Sequence, residues 1–217
     1  QRNWIGRSEG AEVIFRVVNP ETGFELDLSV YTTRLDTIYG ATFCVLAPEY
    51  PDIEKLVTAE KHEEVMKYVK EARAKSDLER TAAAEKEKTG VFTGSFAVNP
   101  FNAEKIPVYV ANYVLAGYGT AAIMAVPAHD VRDHAFAVKF GVPIVEVIAP
   151  GGVPRGVSEA ATIADGQLIS SGPFSGLDSD EARNKMAEYA VENGIGKPDV
   201  RYRLRDWLVS RQRYWGA

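Results

Sequence analysis

Apolar and polar residues alternate along 11–18 and again along 25–32, the period of a strand with one face buried. Between the two runs lies Asn19-Pro20-Glu21-Thr22-Gly23, a cluster of turn formers. The pair therefore predicts an antiparallel hairpin. Segments 41–47, 106–110, 120–126 and 142–148 are rich in Val, Ile and aromatic residues and predict further strands.

Helical periodicity is rarer. Residues 59–88 are charged and alanine-rich, and Val65, Met66, Val69 and Ala72 form an apolar stripe before Thr89-Gly90 ends it. A second helix is predicted from near Asp130 to Gly141, and a third from about Ser179 to Asn193, with Gly194 as its stop. The Gly-, Pro- and Ser-rich stretch 149–176 reads as a long loop enclosing a short hairpin. Many strands with irregularly interspersed helices predict an α+β fold, a β-barrel-like core of mostly antiparallel strands decorated by helices, rather than βαβ repeats.

Composition narrows this without changing it. At 217 residues, 46% hydrophobic and 25% charged, the chain suits a single core, and no apolar run is long enough to span a bilayer. The opening residues do not read as a signal peptide. The single cysteine, Cys44, lies in an apolar run, excludes an internal disulfide and fits a reducing, cytoplasmic compartment. A net charge of −5 argues against a free-standing nucleic-acid binder. Residues 201–217 nevertheless gather Arg201, Arg203, Arg205, Arg211 and Arg213 against the one acid Asp206, so contact with RNA would be local.

Two segments carry candidate chemistry. The first, Tyr31-Thr32-Thr33-Arg34-Leu35-Asp36-Thr37-Ile38-Tyr39-Gly40, gathers three threonines, an arginine and an aspartate where a strand leaves the core. Threonine offers a hydroxyl that donates and accepts, together with a methyl group, which suits recognition of a ribose or ester in a pocket of set width. The residues alone read more simply as a β-branched strand followed by an Asx-type turn. The second runs from Gly119 to His134 and ends in Pro127-Ala128-His129-Asp130-Val131-Arg132-Asp133-His134. Asp130 suits a helix N-cap with Asp133 as its capping-box-like partner, and both carboxylates suit the positive end of a helix dipole. That explains one aspartate and leaves the rest of the cluster to function. A metal held by His129, Asp130, Asp133 and His134 is a competing reading, but the five-residue histidine spacing is poor and no zinc motif accompanies it. No phosphate-binding glycine loop or nucleophile elbow is present, so any ester hydrolysis would employ an oriented water.

Together the segments resemble the editing insertion of the class I aminoacyl-tRNA synthetases for leucine, isoleucine and valine. Gln1-Arg2-Asn3-Trp4-Ile5-Gly6 looks like the linker leading in, and Tyr202-Arg203-Leu204-Arg205-Asp206-Trp207, continuing to Arg211-Gln212-Arg213-Tyr214-Trp215-Gly216, is similar to the return into a catalytic domain. The implied organisation is a lead-in linker at 1–10, an editing domain at 11–200 and a return strand or linker at 201–217. Asp36 and the strand from Met124 to Asp130 favour the bacterial leucine type; the valine type usually carries Glu at the first position and the isoleucine type Trp. Leu35 stands where the family usually has proline and Ala121 where it usually has glycine, which leaves the Arg34 turn less constrained.

The resemblance implies roles. Asp133 would bind the α-amino group of the misattached amino acid. Thr37 would be the specificity gate against leucine, with Met124, Val126 and Tyr118 lining the pocket. Thr32 and Thr33 would contact the terminal ribose or place the water. Arg34, with Asp36 and Thr33, would hold the tRNA end, and His129 and Asp130 would shape the loop. Backbone amides near Val126 or the paired threonines would be oxyanion donors. The logic is a double sieve: a methylene distinguishes substrates by only about 1–3 kcal/mol, so isoleucyl-, norvalyl- and methionyl-tRNA(Leu) would be hydrolysed at a second site that spares leucyl-tRNA. No cofactor or metal is implied for this domain; ATP and Mg belong to the parent's synthetic site, whose His-Ile-Gly-His and Lys-Met-Ser-Lys-Ser signatures are missing from this sequence. The implied partners are the terminal adenosine of charged tRNA(Leu) and the rest of a parent synthetase, with no membrane, in a cytoplasmic monomer. A valine- or isoleucine-type editor, a non-catalytic tRNA-binding module and a metal-dependent hydrolase stand as alternatives.

Overall fold

The computed structural model describes residues 6–116, 120–156 and 160–202. The predicted hairpin is present as β1 (Arg7–Val18) and β2 (Glu25–Thr32), paired antiparallel from Ala11↔Thr32 to Val18↔Glu25. Asn19 Oδ1 accepts from the Glu21 and Thr22 amides, and Gly23 closes the turn at φ 69°. That is the Asx chemistry expected of the connecting segment. β1 begins four residues before its alternation becomes legible, and Arg7–Val13 pair with β9 (Gly196–Tyr202).

After a 3-10 turn (Leu35–Gly40) comes β3 (Phe43–Leu46), and then a helical crossover. A short α1 (Ile53–Leu56) leads to α2 (His62–Arg73) and α3 (Asp77–Lys86). The single helix expected over 59–88 is thus two helices. Ser76 breaks it by making a full capping box with Glu79, a local competitor that outweighs the alanine-rich propensity around it. Val65, Val69 and Ala72 are buried as the stripe predicted.

β4 (Gly90–Val98) and β9 carry no clear sequence signal, because glycine, proline and charge interrupt their alternation. Around them run β5 (Lys105–Ala111), β6 (Ala122–Ala125), α4 (Val131–Phe140), the short pair β7 (Ile148–Ala149) with β8 (Gln167–Leu168), and α5 (Ser179–Glu192). The strand expected at 142–148 is irregular chain apart from Ile148. Val142 and Val147 are buried there, so the apolar run fills the core without joining a ladder until Ile148.

Among the described residues the main sheet runs β2-β1-β4-β5-β3-β6, with β9 on the same edge of β1 as β4. All its pairings are antiparallel except β3 with β5. β2 and β6 lie against each other without a ladder, so the sheet curls like a barrel and does not close. β3 is buried on both faces and divides the core: Cys44 and Leu46 pack with the β1–β2 side, Phe43 and Val45 with Phe136 of α4. Burial pushes the Cys44 thiol well above its ordinary range, consistent with a packing role. Arg80 of α3, 1% exposed, pairs with Glu49 and donates to the Val114 carbonyl at 2.6 Å, pinning the crossover onto the sheet.

β4 shifts register between Phe92 and Phe96, and Gly94 sits in that bulge at φ 88° against Thr58. A Cβ at Gly94 would run into the Thr58 side chain and would require a left-handed backbone. Gly94→Ala is therefore expected to lower unfolding free energy by roughly 2–4 kcal/mol. Urea denaturation checks this; an unchanged midpoint would show that the bulge relaxes freely.

Candidate functional site

Both chemically rich segments lie at one end of the sheet. β2 ends at Thr32, and the chain passes through Thr33 and Arg34 into the 3-10 turn and then β3. β3 is antiparallel to β6, with Phe43 opposite Ala125 and the Thr42 amide donating to the Ala125 carbonyl at 3.1 Å. The beginning of β3 therefore sits beside the end of β6, where Val126 leads to Asp130.

Side chains tie the threonine turn back on itself. Thr32 Oγ1 accepts from the Arg34 amide at 2.9 Å, and Thr37 Oγ1 donates to the Arg34 carbonyl at 2.7 Å. Thr37 is fully enclosed, so its hydroxyl is spent inside the turn. Asp36 is also fully enclosed, between two guanidinium groups: Arg34 Nε at 3.1 Å and Arg183 Nη1, from α5, at 3.2 Å. Arg34 also donates to the Ile163 carbonyl at 3.2 Å and pairs with Asp165, and Arg183 pairs with Asp165 and Asp180. Arg34 thus faces inward with its side chain 29% exposed, and Asp36 bears on the surface only through Arg34 and Arg183. Leu35 is buried at 3%, so hydrophobic packing and these ion pairs hold the turn that proline would otherwise stiffen.

The second segment is a compact knot. The amides of His129 and Asp130 both donate to the Val126 carbonyl, at 2.8 and 3.0 Å. Asp130 caps α4 as expected, accepting from the amides of Arg132 and Asp133. Asp133 departs from the capping-box expectation. Its Oδ2 accepts the Val126 amide at 2.9 Å, and its Oδ1 accepts the Tyr113 hydroxyl at 3.1 Å. The reach to Val126 is the shorter path once the chain doubles back at Pro127. It also commits the Val126 amide, which cannot then serve as an oxyanion donor.

Asp133 is 3% exposed. Burial, then repulsion from Asp130, raise its carboxyl from 3.8 to about 7, while the Val126 amide, Arg132 and Tyr113 pull the other way. Its two hydrogen bonds leave acceptor capacity on both oxygens. A buried, incompletely compensated carboxylate beside a strand-to-helix junction is suited to receive a cationic group.

His129 occupies the middle of the assembly. Nε2 accepts from the amides of Val147 and Ile148 at 3.0 and 3.2 Å, which leaves the proton on Nδ1 to donate to the Thr162 carbonyl at 2.9 Å. Burial lowers its pKa, in keeping with a neutral ring. The Thr162 amide donates to the Ala128 carbonyl, and the next residue, Ile163, receives Arg34. Segment 162–165 therefore links the two turns. Met124 and Val126 are buried at 6% and 8% on the β6 side; Tyr118 lies outside the described residues. Thr32 and Thr33 also rim an open cleft of about 910 Å³ between α5 and the β1–β9 pair, a cleft that Asp133, Met124 and Val126 do not line. Arg183, Asp165 and Tyr113 escaped the sequence reading. Each is joined to its partner by a contact spanning at least 18 positions, which no local pattern reports.

Comparison with known proteins bears on what this arrangement serves. A family model described as leucyl-tRNA synthetase, editing domain, matches residues 2–191. A leucine–tRNA ligase of Rubrobacter xylanophilus is 56% identical over 217 residues, which cover 100% of the chain and 26% of that enzyme. One from Dehalococcoides mccartyi is 51% identical with the same coverage. The chain thus spans about a quarter of the length of these relatives. Among solved structures, the ternary LeuRS–tRNA–LeuAMS complex of Agrobacterium radiobacter superimposes with a TM-score of 0.72 at 36% identity, covering 95% of this chain and 22% of that one.

The buried carboxyl has a consequence for stability. A folded pKa above the unfolded one means that the native state holds the extra proton between pH of about 4 and 7, so this group's contribution worsens as pH rises through that window. His129, with its lowered pKa, acts in the opposite sense as pH falls. Comparing variants at each pH cancels the histidine. The stability of Asp133→Asn relative to the unsubstituted chain should rise between pH 5 and pH 8, as read by urea denaturation; a difference independent of pH would contradict the burial argument.

Proposed function

The chain belongs to the leucyl-tRNA synthetase editing-domain family, and we propose that it hydrolyses the ester of tRNA(Leu) carrying isoleucine, norvaline or methionine while sparing leucyl-tRNA. The observation that supports this most directly is the meeting of the threonine turn with the Val126–Asp133 knot at one end of the sheet, where a buried carboxylate has spare acceptor capacity.

In this reading the α-ammonium of the misattached amino acid pairs with Asp133, and that charge draws the carboxyl into its ionised form. The ester then lies toward Thr32 and Thr33, which position the water and the terminal ribose. With the Val126 amide committed to Asp133, the backbone of the paired threonines is the source of oxyanion stabilisation. Holding water beside an activated ester supplies most of the acceleration, without cofactor or metal. Thr37 acts sterically, because its hydroxyl is tied to Arg34; Met124 and Val126 complete the pocket wall. Arg34 holds the tRNA end through its outer face, anchored from within by Asp36, and His129 with Asp130 fix the loop that carries Asp133.

The domain's implied partners are tRNA(Leu) and the remaining three quarters of a synthetase that ligates leucine in the cytoplasm, acting as a monomer. Among the described residues, no helix is long and apolar enough to cross a membrane.

Deacylation of isoleucyl- and leucyl-tRNA(Leu) by the chain tests the proposal. Isoleucyl-tRNA should be hydrolysed at least tenfold faster, since a well-shaped pocket discriminates by about 1–3 kcal/mol per methyl-sized difference; equal rates for both would reject it. Thr37→Ala should admit leucyl-tRNA and bring the two rates within a few-fold of each other. Asp133→Ala should lower turnover by roughly two orders of magnitude or more, the scale of a lost buried charge contact; retained activity would leave Asp133 with only its structural tie to Val126.

A further inference from the structure

The carboxylate that anchors the proposed substrate is itself held by a residue to which nothing above assigns a function. Tyr113 is the second residue beyond β5, next to Asn112, which is locked to Thr89: the Asn112 backbone amide donates to the Thr89 carbonyl at 3.2 Å, and Asn112 Oδ1 accepts the Thr89 amide at the same distance. The Tyr113 ring packs against Phe136 with centroids 5.8 Å apart. Phe136 lies three positions beyond Asp133 on α4, so both point from one face of the helix. A tyrosine held by the adjoining Asn112 on one side and packed against Phe136 on the other delivers its hydroxyl to Asp133 Oδ1 at 3.1 Å.

We infer that Tyr113 is a positioning residue for editing: its hydroxyl fixes the orientation of the Asp133 carboxylate and stabilises its charged form for the incoming α-ammonium. This rests on the reading of Asp133 given under the proposed function.

The surroundings make the phenol matter. From α4 itself, Asp130 opposes the charge on Asp133 and Arg132 supports it. From the end of β6 the Val126 amide supports it, and from beyond β5 Tyr113 does so. Arg132 is already paired with Asp130 at 3.3 Å, which blunts its effect. Among the described residues the two hydrogen bonds are therefore the direct stabilisers of the anion, and one of them comes from a side chain. Burial and the facing carboxylate push the Tyr113 phenol well above its ordinary pKa, so it remains a donor throughout the working range. A hydrogen bond to the charged form lowers a carboxyl pKa, and its loss raises it.

The test is the pH dependence of kcat/KM for isoleucyl-tRNA(Leu) hydrolysis between pH 6 and 8 in the unsubstituted chain and in Tyr113→Phe. This measure reports groups of the free enzyme and substrate, and the substrate's own ammonium titrates identically in both arms. Tyr113→Phe should move the acid limb up by about one pH unit, a roughly tenfold loss at pH 6 that narrows to about twofold at pH 8. A superimposable profile, or a uniform loss with no displacement of the limb, overturns the inference, since a merely structural tyrosine produces one of those two results. Carbon-13 titration of the Asp133 carboxyl, assigned by difference from Asp133→Asn, reads the same displacement without turnover; an unmoved titration also overturns it. Asp133→Asn run alongside separates the two layers. If it edits normally, the anchoring role of Asp133 fails; if it is inactive while Tyr113→Phe keeps the original profile, only the role of Tyr113 fails.

Discussion

The site depends on four residues, Phe43–Leu46, buried on both faces and paired with β6 on one side and β5 on the other. Because β3 runs antiparallel to β6, the turn entering the one and the turn leaving the other must share an end of the sheet. Because it runs parallel to β5, the chain between them needs a long crossover, supplied by α1, α2, α3 and β4. That crossover is carried away from the threonine turn and back into the sheet through β4 and β5. Shifting β3 by one residue would exchange Phe43 and Val45 with Cys44 and Leu46 between two differently shaped cores. Register is therefore strongly specified, and with it the relation between the two halves of the site.

Two buried aspartates at this end of the sheet are handled in opposite ways. Asp36 has no exposed surface and is met by two guanidinium groups, which in turn are paired with Asp165 and Asp180. Such a group has its demand satisfied within the fold; removing one arginine would leave a buried charge uncompensated. Among the described residues Asp133 has no ion pair of its own, and Arg132, which helps it electrostatically, is paired with Asp130. Asp133 is supported by a backbone amide and a phenol, and an adjacent carboxylate opposes it. The first arrangement stabilises a turn. The second leaves an electrostatic demand that an arriving ammonium can meet, and this contrast separates anchor from recognition group more clearly than residue type does.

The local signals in the sequence were reliable where the physics is local. The β1–β2 hairpin, the Asp130 cap, the Gly141 stop and the apolar stripe of α2 all follow from neighbours within four or five positions. β4 and β9 were not legible, because their stability comes from ladder partners far along the chain, and glycine in one and charged residues in the other hide the alternation. Segment 142–148 misled for the converse reason: up to Ile148 it is buried in part without joining a ladder, which leaves the same apolar pattern as a strand. Within the site, the residue types at Thr32 to Thr37 and His129 to Asp133 were readable as chemistry, but which hydroxyl or amide was already committed was not. The inward hydroxyl of Thr37 and the occupied Val126 amide are consequences of the turn geometry alone.

That geometry also makes the residues of the threonine turn interdependent. Thr37 donates to the carbonyl of the same Arg34 whose side chain neutralises Asp36 and reaches Ile163. One step further, Thr162 receives His129, which in turn fixes Val147 and Ile148. Groups joined by shared hydrogen-bond partners rarely contribute additively. A substitution at Asp36 or Arg183, neither of which needs to touch a ligand, would therefore be transmitted to the position of Thr37 through Arg34. Width and anchoring of the pocket are thus set by one network rather than by separable residues, and its stiffness resides in buried ion pairs where a proline would have supplied it covalently.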